Sequence, residues 1–297
     1  MHIYYLSIII LFIILCFYIL DKYIIDNTNT NRNANQNIEY FKNEELICCF
    51  YAYYEKNDSY KNNFIYFLNN GILDNVDYHI IINGKCSVEI PKRNNITIYT
   101  RENKGFDFGA YGHAIKKITK KYDYYFFINT SVCGPYLKDK DKQWTSYFIE
   151  LFNNDVKLVG TSINVFPYES LIKGFNLKDI YGKDKPFTHI QSMFFCIDSY
   201  YFDYLNSINF FDEDTLNKET NMYYVIANKE IGLSQILLKK GYNINSILPK
   251  YKGIDYRLVN SNFNYSAPNG DPYFKNKYFG DSIDKYDVIF FKTNRGF

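Results

Sequence analysis

Apolar runs of strand length alternate with amphipathic stretches of helical period from Leu46 to Leu248 of this 297-residue chain, and that rhythm constrains the fold more than any other feature. Leu46 to Tyr54 (LICCFYAYY) reads as a buried strand, and Ser59 to Asn69 places Phe64, Ile65 and Leu68 at helical spacing before the stop signal Asn70-Gly71. Further strands are predicted at Tyr78 to Ile82, Ile96 to Thr100, Tyr124 to Ile128, Lys157 to Ile163, Ser192 to Ile197 and Tyr242 to Leu248. Helices are predicted at Phe108 to Lys120, Gln143 to Phe152 and Lys229 to Lys239. Strand, helix, strand in repetition predicts an α/β class with an open, mostly parallel sheet flanked by helices on both faces. No internal repeat competes with that reading.

With 47% hydrophobic residues, a chain of this length can bury a sizeable core. Lys+Arg 34 against Asp+Glu 32 leaves a formal charge of +2, so there is no basic excess with which to hold a polyanion and no nucleic-acid partner is expected. Cysteines at 16, 48, 49, 86, 133 and 196 form neither a C-x-x-C nor a Cys/His cluster of zinc spacing, which argues against structural zinc. The 32 Tyr and 26 Phe are spread evenly and read as compositional bias rather than function.

Met1 to Leu20 carries no Asp, Glu, Lys or Arg, long enough to span a bilayer, and lacks both a basic n-region and a small-residue cleavage site. A retained transmembrane signal-anchor is expected over 1–25. Residues 26–43 are polar and Asn-rich, which predicts a flexible stalk, with the folded domain over 44–297.

In open α/β sheets ligands sit beyond the carboxyl ends of the strands, so the segments that follow strands hold the candidates. Arg101 to Tyr111 (RENKGFDFGAY) offers Gly105 and Gly109 for close backbone approach, and a helix N-terminus suited to an anion such as a diphosphate. A capped turn with Asp107 as N-cap explains it equally. Phe126 to Pro135 (FFINTSVCGP) brings Asn129, Thr130 and Ser131 to a strand end, as an ordinary polar turn also does. Asn228 to Tyr242 opens a helix with Glu230 in its first turn, where a carboxylate serves as a general base or simply answers the helix dipole.

Taken in this order, these segments resemble inverting GT-A glycosyltransferases of the family 2 kind, including rhamnan-synthesis proteins, over roughly Glu45 to Asn245. Glu102, Asn103, Gly105 and Phe106 match an ENxGF segment, Ile128 and Asn129 the start of LNxD, and Glu230, Leu233 and Gly241-Tyr242 the later helix and its exit. The wider stretch, from GFDFGAY to the closing FFKTNR, is similar to a less studied branch of such enzymes. The resemblance implies a GT-A-like fold and transfer of a sugar, with inversion, from a nucleotide-sugar donor to a hydroxyl of a glycan or glycoprotein. It implies Glu230 as base and a donor site drawn from Tyr53, Asn83, Arg101, Asn103, Gly105, Phe106, Asp107, Asn129 and Ser131. It places His189 and Gln191 on the acceptor side. The anchor, stalk and domain layout is similar to that of type II endoplasmic-reticulum or Golgi transferases, which implies a single-pass membrane protein.

Two departures follow from the match. Ser131 stands where the family carries its metal-binding aspartate, leaving use of Mg²⁺ or Mn²⁺ open: Asp107 could supply a substitute carboxylate, or the helix N-terminus with Arg101 and Lys104 could hold the diphosphate without metal. Asn83 stands where a base-binding aspartate is common, so the nucleotide is open as well. Asp255 and Arg257 could close over the donor or form a surface ion pair. The competing expectation is a non-catalytic carbohydrate-binding or scaffold protein on a decayed transferase fold, motivated by Ser131. A nucleotide-dependent hydrolase would need a Walker lysine or a G-x-S-x-G elbow, and the sequence has neither.

Overall fold

The computed structural model describes residues 45–166, 171–182, 186–267 and 271–295. In chain order the elements used below are β1 (Ile47–Tyr53), α1 (Asp58–Asn70), β2 (Val76–Asn83), β3 (Ile96–Arg101), α2 (Phe106–Ile115), β4 (Tyr124–Asn129), α3 (Trp144–Ile149) and β5 (Val156–Gly160). They continue with β6 (Ile163–Phe166), β7 (Phe187–Ile190), β8 (Phe194–Asp198), α4 (Ser199–Ser207), α5 (Glu213–Lys218), α6 (Met222–Val225), α7 (Ile231–Lys239) and β9 (Asn243–Ser246).

Seven strands form one sheet in the order β9-β5-β8-β4-β1-β2-β3. β1 lies parallel between β2 and β4 and is buried at every position, which is why its sequence shows no polar alternation. β3 closes one edge and exposes Thr97, Ile98 and Thr100. The sheet is mixed, a correction to the mostly parallel one expected: β8 runs against both β4 and β5. Its direction has a topological cause. The chain leaves the carboxyl end of β5, goes out along β6 and returns along its antiparallel partner β7, so it re-enters the sheet from the carboxyl edge. A parallel β8 would need a crossover back to the other edge first.

The two faces are packed with aromatic side chains held in cross-strand register. Phe50 pairs with Phe127 and Phe127 with Phe195, their rings stacking at 5.1 and 4.4 Å, and Phe211 covers Phe127 at 5.5 Å. His79 extends the row beside Phe50. On the other face Phe126 and Phe194 meet Trp144, whose indole N–H donates to the Gly71 carbonyl at 2.8 Å. The abundance of Phe and Tyr is therefore used structurally.

Among the described residues no helix is long and apolar enough to cross a membrane. The anchor expected over 1–25 and the stalk expected over 26–43 fall on residues outside those described. No helix among the described residues supplies the expected transmembrane segment, and membrane contact through it and a type II location are not carried further.

Candidate active site

The carboxyl ends of β1, β2 and β4 open onto a cleft of about 560 Å³. Ala52 and Tyr54 come from the end of β1, Asn83 from β2, Asn103, Phe106 and Asp107 from the turn after β3, and Asn129, Thr130 and Ser131 from β4. Ser192 and Met193 reach the same edge because β8 is antiparallel and presents its amino end there. Met222, Ile226 and Glu230 descend from the helical wall, and Lys292, Asn294 and Arg295 arrive from the C-terminal segment.

The turn into α2 is unusual in its backbone. Gly105 and Phe106 both have positive φ, 68° and 56°. Gly105, not Asp107, is the N-cap residue, and no side chain caps this helix start. Asp107 instead accepts from the Phe108 N–H at 3.0 Å and from the Asn129 amide at 2.9 Å. Asn129 Oδ1 in turn accepts the Ser131 N–H at 3.0 Å and its hydroxyl at 2.6 Å. Burial is the main reason that the Asp107 carboxyl is pushed up to about 6; Glu230 adds to it and the Asn129 hydrogen bond opposes it.

Glu230 closes a π-helical turn, Ile226–Glu230, that joins α6 to α7. The helix therefore begins well before it, at the Asn221 cap, and a first-turn dipole reading of this carboxylate has no structural basis. Glu230 Oε2 accepts from the Ser192 N–H at 3.2 Å and from the Ser192 hydroxyl. Oε1 faces His189 Nε2 at 3.7 Å, while His189 Nδ1 lies 2.8 Å from the Phe187 carbonyl and so carries the proton that donates to it. Burial would raise the Glu230 carboxyl, but His189, Lys292 and Ser192 together outweigh it and hold it down at about 2. Lys292 is itself pulled below the usual lysine value, first by burial and then by Arg295.

Several residues that the sequence singles out lie behind the cleft. Tyr53 points to the opposite face of the sheet from Ala52 and Tyr54; it stacks on Phe64 at 4.2 Å and donates to Glu55 at 2.8 Å. Arg101 donates to Asn83 Oδ1 at 2.8 Å and to Asn217, with Glu213 at 3.9 Å. It holds Asn83 in place and is not available to a diphosphate. Lys104 is exposed and paired with Glu102. Gly105 packs against the Leu216 carbonyl, His189 backs Glu230, and Gln191 is buried against Ser162. Arg257 clamps Asp155 at 2.7 and 2.9 Å together with Asp255, away from the cleft.

Ser192, Lys292 and Arg295 escape a reading by motif. Their sequence trace is the HIQSMFF run and the closing FFKTNR, neither of which has a spacing that dictates a role. The donor set is a poor fit to a divalent cation. Both Asp107 oxygens accept hydrogen bonds, Asn129 and Ser131 are neutral and bonded to each other, and an ammonium shares the cleft. Among the described residues no group of three His, Cys, Asp or Glu side chains converges.

No family model matches this chain, and no curated protein matches it. Solved structures match it at low identity and low TM-score. The mannosyltransferase PcManGT from Pyrobaculum calidifontis, in complex with GDP-Man and Mn²⁺, is similar at TM-score 0.41 and 10% identity, over 69% of this chain and 55% of that one. This chain thus spans about half of that protein's length. The galactosyltransferase LgtC, in complex with donor and acceptor sugar analogues, is similar at TM-score 0.33 and 10% identity, over 61% of this chain and 70% of that one. A glycosyltransferase involved in glycosylation of the major capsid of PBCV-1 is similar at TM-score 0.31 and 13% identity, over 63% and 75%.

Proposed function

We propose that this chain is a nucleotide-sugar-dependent glycosyltransferase that transfers a sugar to a hydroxyl of a glycan or glycoprotein. The observation that carries the reading is one cleft at the carboxyl edge of a doubly covered sheet, in which an ionised carboxylate on the helical wall, Glu230, faces polar strand ends and a lysine. In the proposed step the acceptor oxygen attacks the anomeric carbon from the face opposite the leaving group. The bond from that carbon to the diphosphate oxygen breaks, the electron pair leaves with the diphosphate, and the acceptor proton passes to Glu230. Attack from the opposite face inverts the anomeric centre.

A carboxylate held at about 2 is a weak base in the resting site. Lys292 is one of the groups that hold it there, and a diphosphate drawn to that ammonium relieves the pull. Asn83 adds a constraint on the nucleotide. A guanidinium has only donors, so the Asn83 atom facing Arg101 is its oxygen, and the Nδ2 group is left to donate to an acceptor on the ligand.

The test is donor hydrolysis and thermal shift across UDP-, GDP- and dTDP-sugars. Binding with hydrolysis of one donor supports transfer. Binding without hydrolysis, in the presence of candidate acceptors, would instead support a carbohydrate-nucleotide binding role on the same fold.

A further inference from the structure

We infer that Lys292 is the group that binds the leaving diphosphate, and that the site works without a divalent metal. This rests on the glycosyltransferase reading and deepens it. The strand exit after β4, where a carboxylate and its metal would be expected, carries Asn129 and Ser131, whose polar atoms are bonded to each other and to Asp107. The C-terminal segment is sewn onto that same exit. Lys292 pairs with Val132 in a two-residue antiparallel ladder, and the Thr293 N–H donates to the Ser131 carbonyl at 3.0 Å. Asn63 fastens both strands, donating to the Thr130 carbonyl at 2.9 Å and to the Thr293 hydroxyl at 2.8 Å. A positive charge is thereby delivered from the far end of the chain to the strand exit that carries Asn129 and Ser131.

Among the described residues that line the cleft, Lys292 is the one partly buried cation held in no ion pair. Arg295 is paired with Asp271 at 3.0 Å and lies over Phe274, while Lys56 stands at the exposed rim. Among the described residues the Lys292 ammonium is held in no ion pair; Asp271, Glu230 and Asp107 act on it only through space. A partly desolvated ammonium facing a cleft attracts a diphosphate more strongly than one in bulk water, because less water screens the pair. As the bond from the anomeric carbon to the diphosphate breaks, the charge that builds on the departing oxygen is taken up by this ammonium. The acceptor proton goes to Glu230, so charge and protons balance without an ion.

The experiment measures equilibrium binding of UDP, GDP, CDP and dTDP, and of the matching nucleosides, to the full-length chain in EDTA and in Mn²⁺. Wild type, Lys292→Gln and Lys292→Arg are compared, with thermal unfolding as a check on folding. At least one diphosphate should bind equally well in EDTA and Mn²⁺. Lys292→Gln should weaken it about 10- to 100-fold, the scale of one charged hydrogen bond, with the nucleoside unaffected and Lys292→Arg recovering part of the loss. A merely structural lysine would weaken nucleoside and diphosphate alike. Binding that requires Mn²⁺, or a Lys292→Gln variant that binds as wild type does, overturns this inference and leaves the transferase reading in place. A folded protein that binds none of the four diphosphates overturns both.

Discussion

Glu230 and Asp107 share one cleft and burial raises both carboxyls, yet neighbours outweigh it at Glu230 alone, leaving the two at about 2 and about 6. Each shift has a separate consequence. Glu230→Gln removes the proton acceptor while keeping the hydrogen bond from Ser192, so turnover should fall at least about 100-fold with nucleotide affinity preserved. Steady-state kinetics beside a binding isotherm will decide, and turnover at the wild-type rate would remove Glu230 from the mechanism. For Asp107 the sign runs the other way from a salt-bridged aspartate. Its carboxyl is raised in the fold above the ordinary 3.8, so its contribution to stability is complete below that pH and is lost as pH rises through about 6. Asp107→Asn has no proton to lose. The melting-temperature difference between Asp107→Asn and wild type should therefore grow in favour of the variant between pH 4 and pH 7, and a flat difference would show that Asp107 is not held protonated by its surroundings.

Two local elements give the site its shape. The turn into α2 needs a residue that accepts positive φ and leaves room for α5: a Cβ on Gly105 would meet the Leu216 carbonyl oxygen at 2.7 Å. Gly105→Ala should cost about 1–3 kcal/mol in urea unfolding and weaken ligand binding through displacement of Phe106 and Asp107. A variant as stable as wild type would mean that α5 yields easily. The other element is the π-helical turn Ile226–Glu230, which adds a residue to one turn of the helix running from α6 into α7. Such insertions change the direction in which the following side chains point. Here the turn ends on Glu230, which meets Ser192 and His189.

For the whole molecule, stability is concentrated where the sheet is covered on both sides. Phe127 is fully buried at the centre, stacked between Phe50 and Phe195 and capped by Phe211. Phe127→Ala should destabilise the protein by about 3–5 kcal/mol, because neighbours fixed in strand register cannot collapse into the void. Urea unfolding reads this directly, and a loss below 1 kcal/mol would indicate a core that repacks freely. Most strands are legible in the sequence, since β1, β2 and β4 are short apolar runs bounded by polar turns. The predicted helix over Phe108 to Lys120 is shorter in the structure, ending at Ile115. The predicted strand over Lys157 to Ile163 divides into β5 and the separate hairpin strand β6, a break that apolar content does not reveal.

What the sequence alone determined is the α/β class, the position of most strands and the segments after them that line the cleft, because hydrophobic period and turn chemistry are local properties. Asp107, Asn129, Ser131 and Glu230 stand in segments legible in that way, Asn83, Asn103 and Phe106 were named by the resemblance, and all seven border the cleft. Only the tertiary structure decided the direction of β8, the retreat of Tyr53 and Arg101 from the site, and the arrival of Ser192 and Lys292 in it. Those outcomes depend on which strand the chain pairs with next and on contacts such as Lys292 with Val132, 160 positions apart in the chain, and no local periodicity encodes a pairing between distant segments.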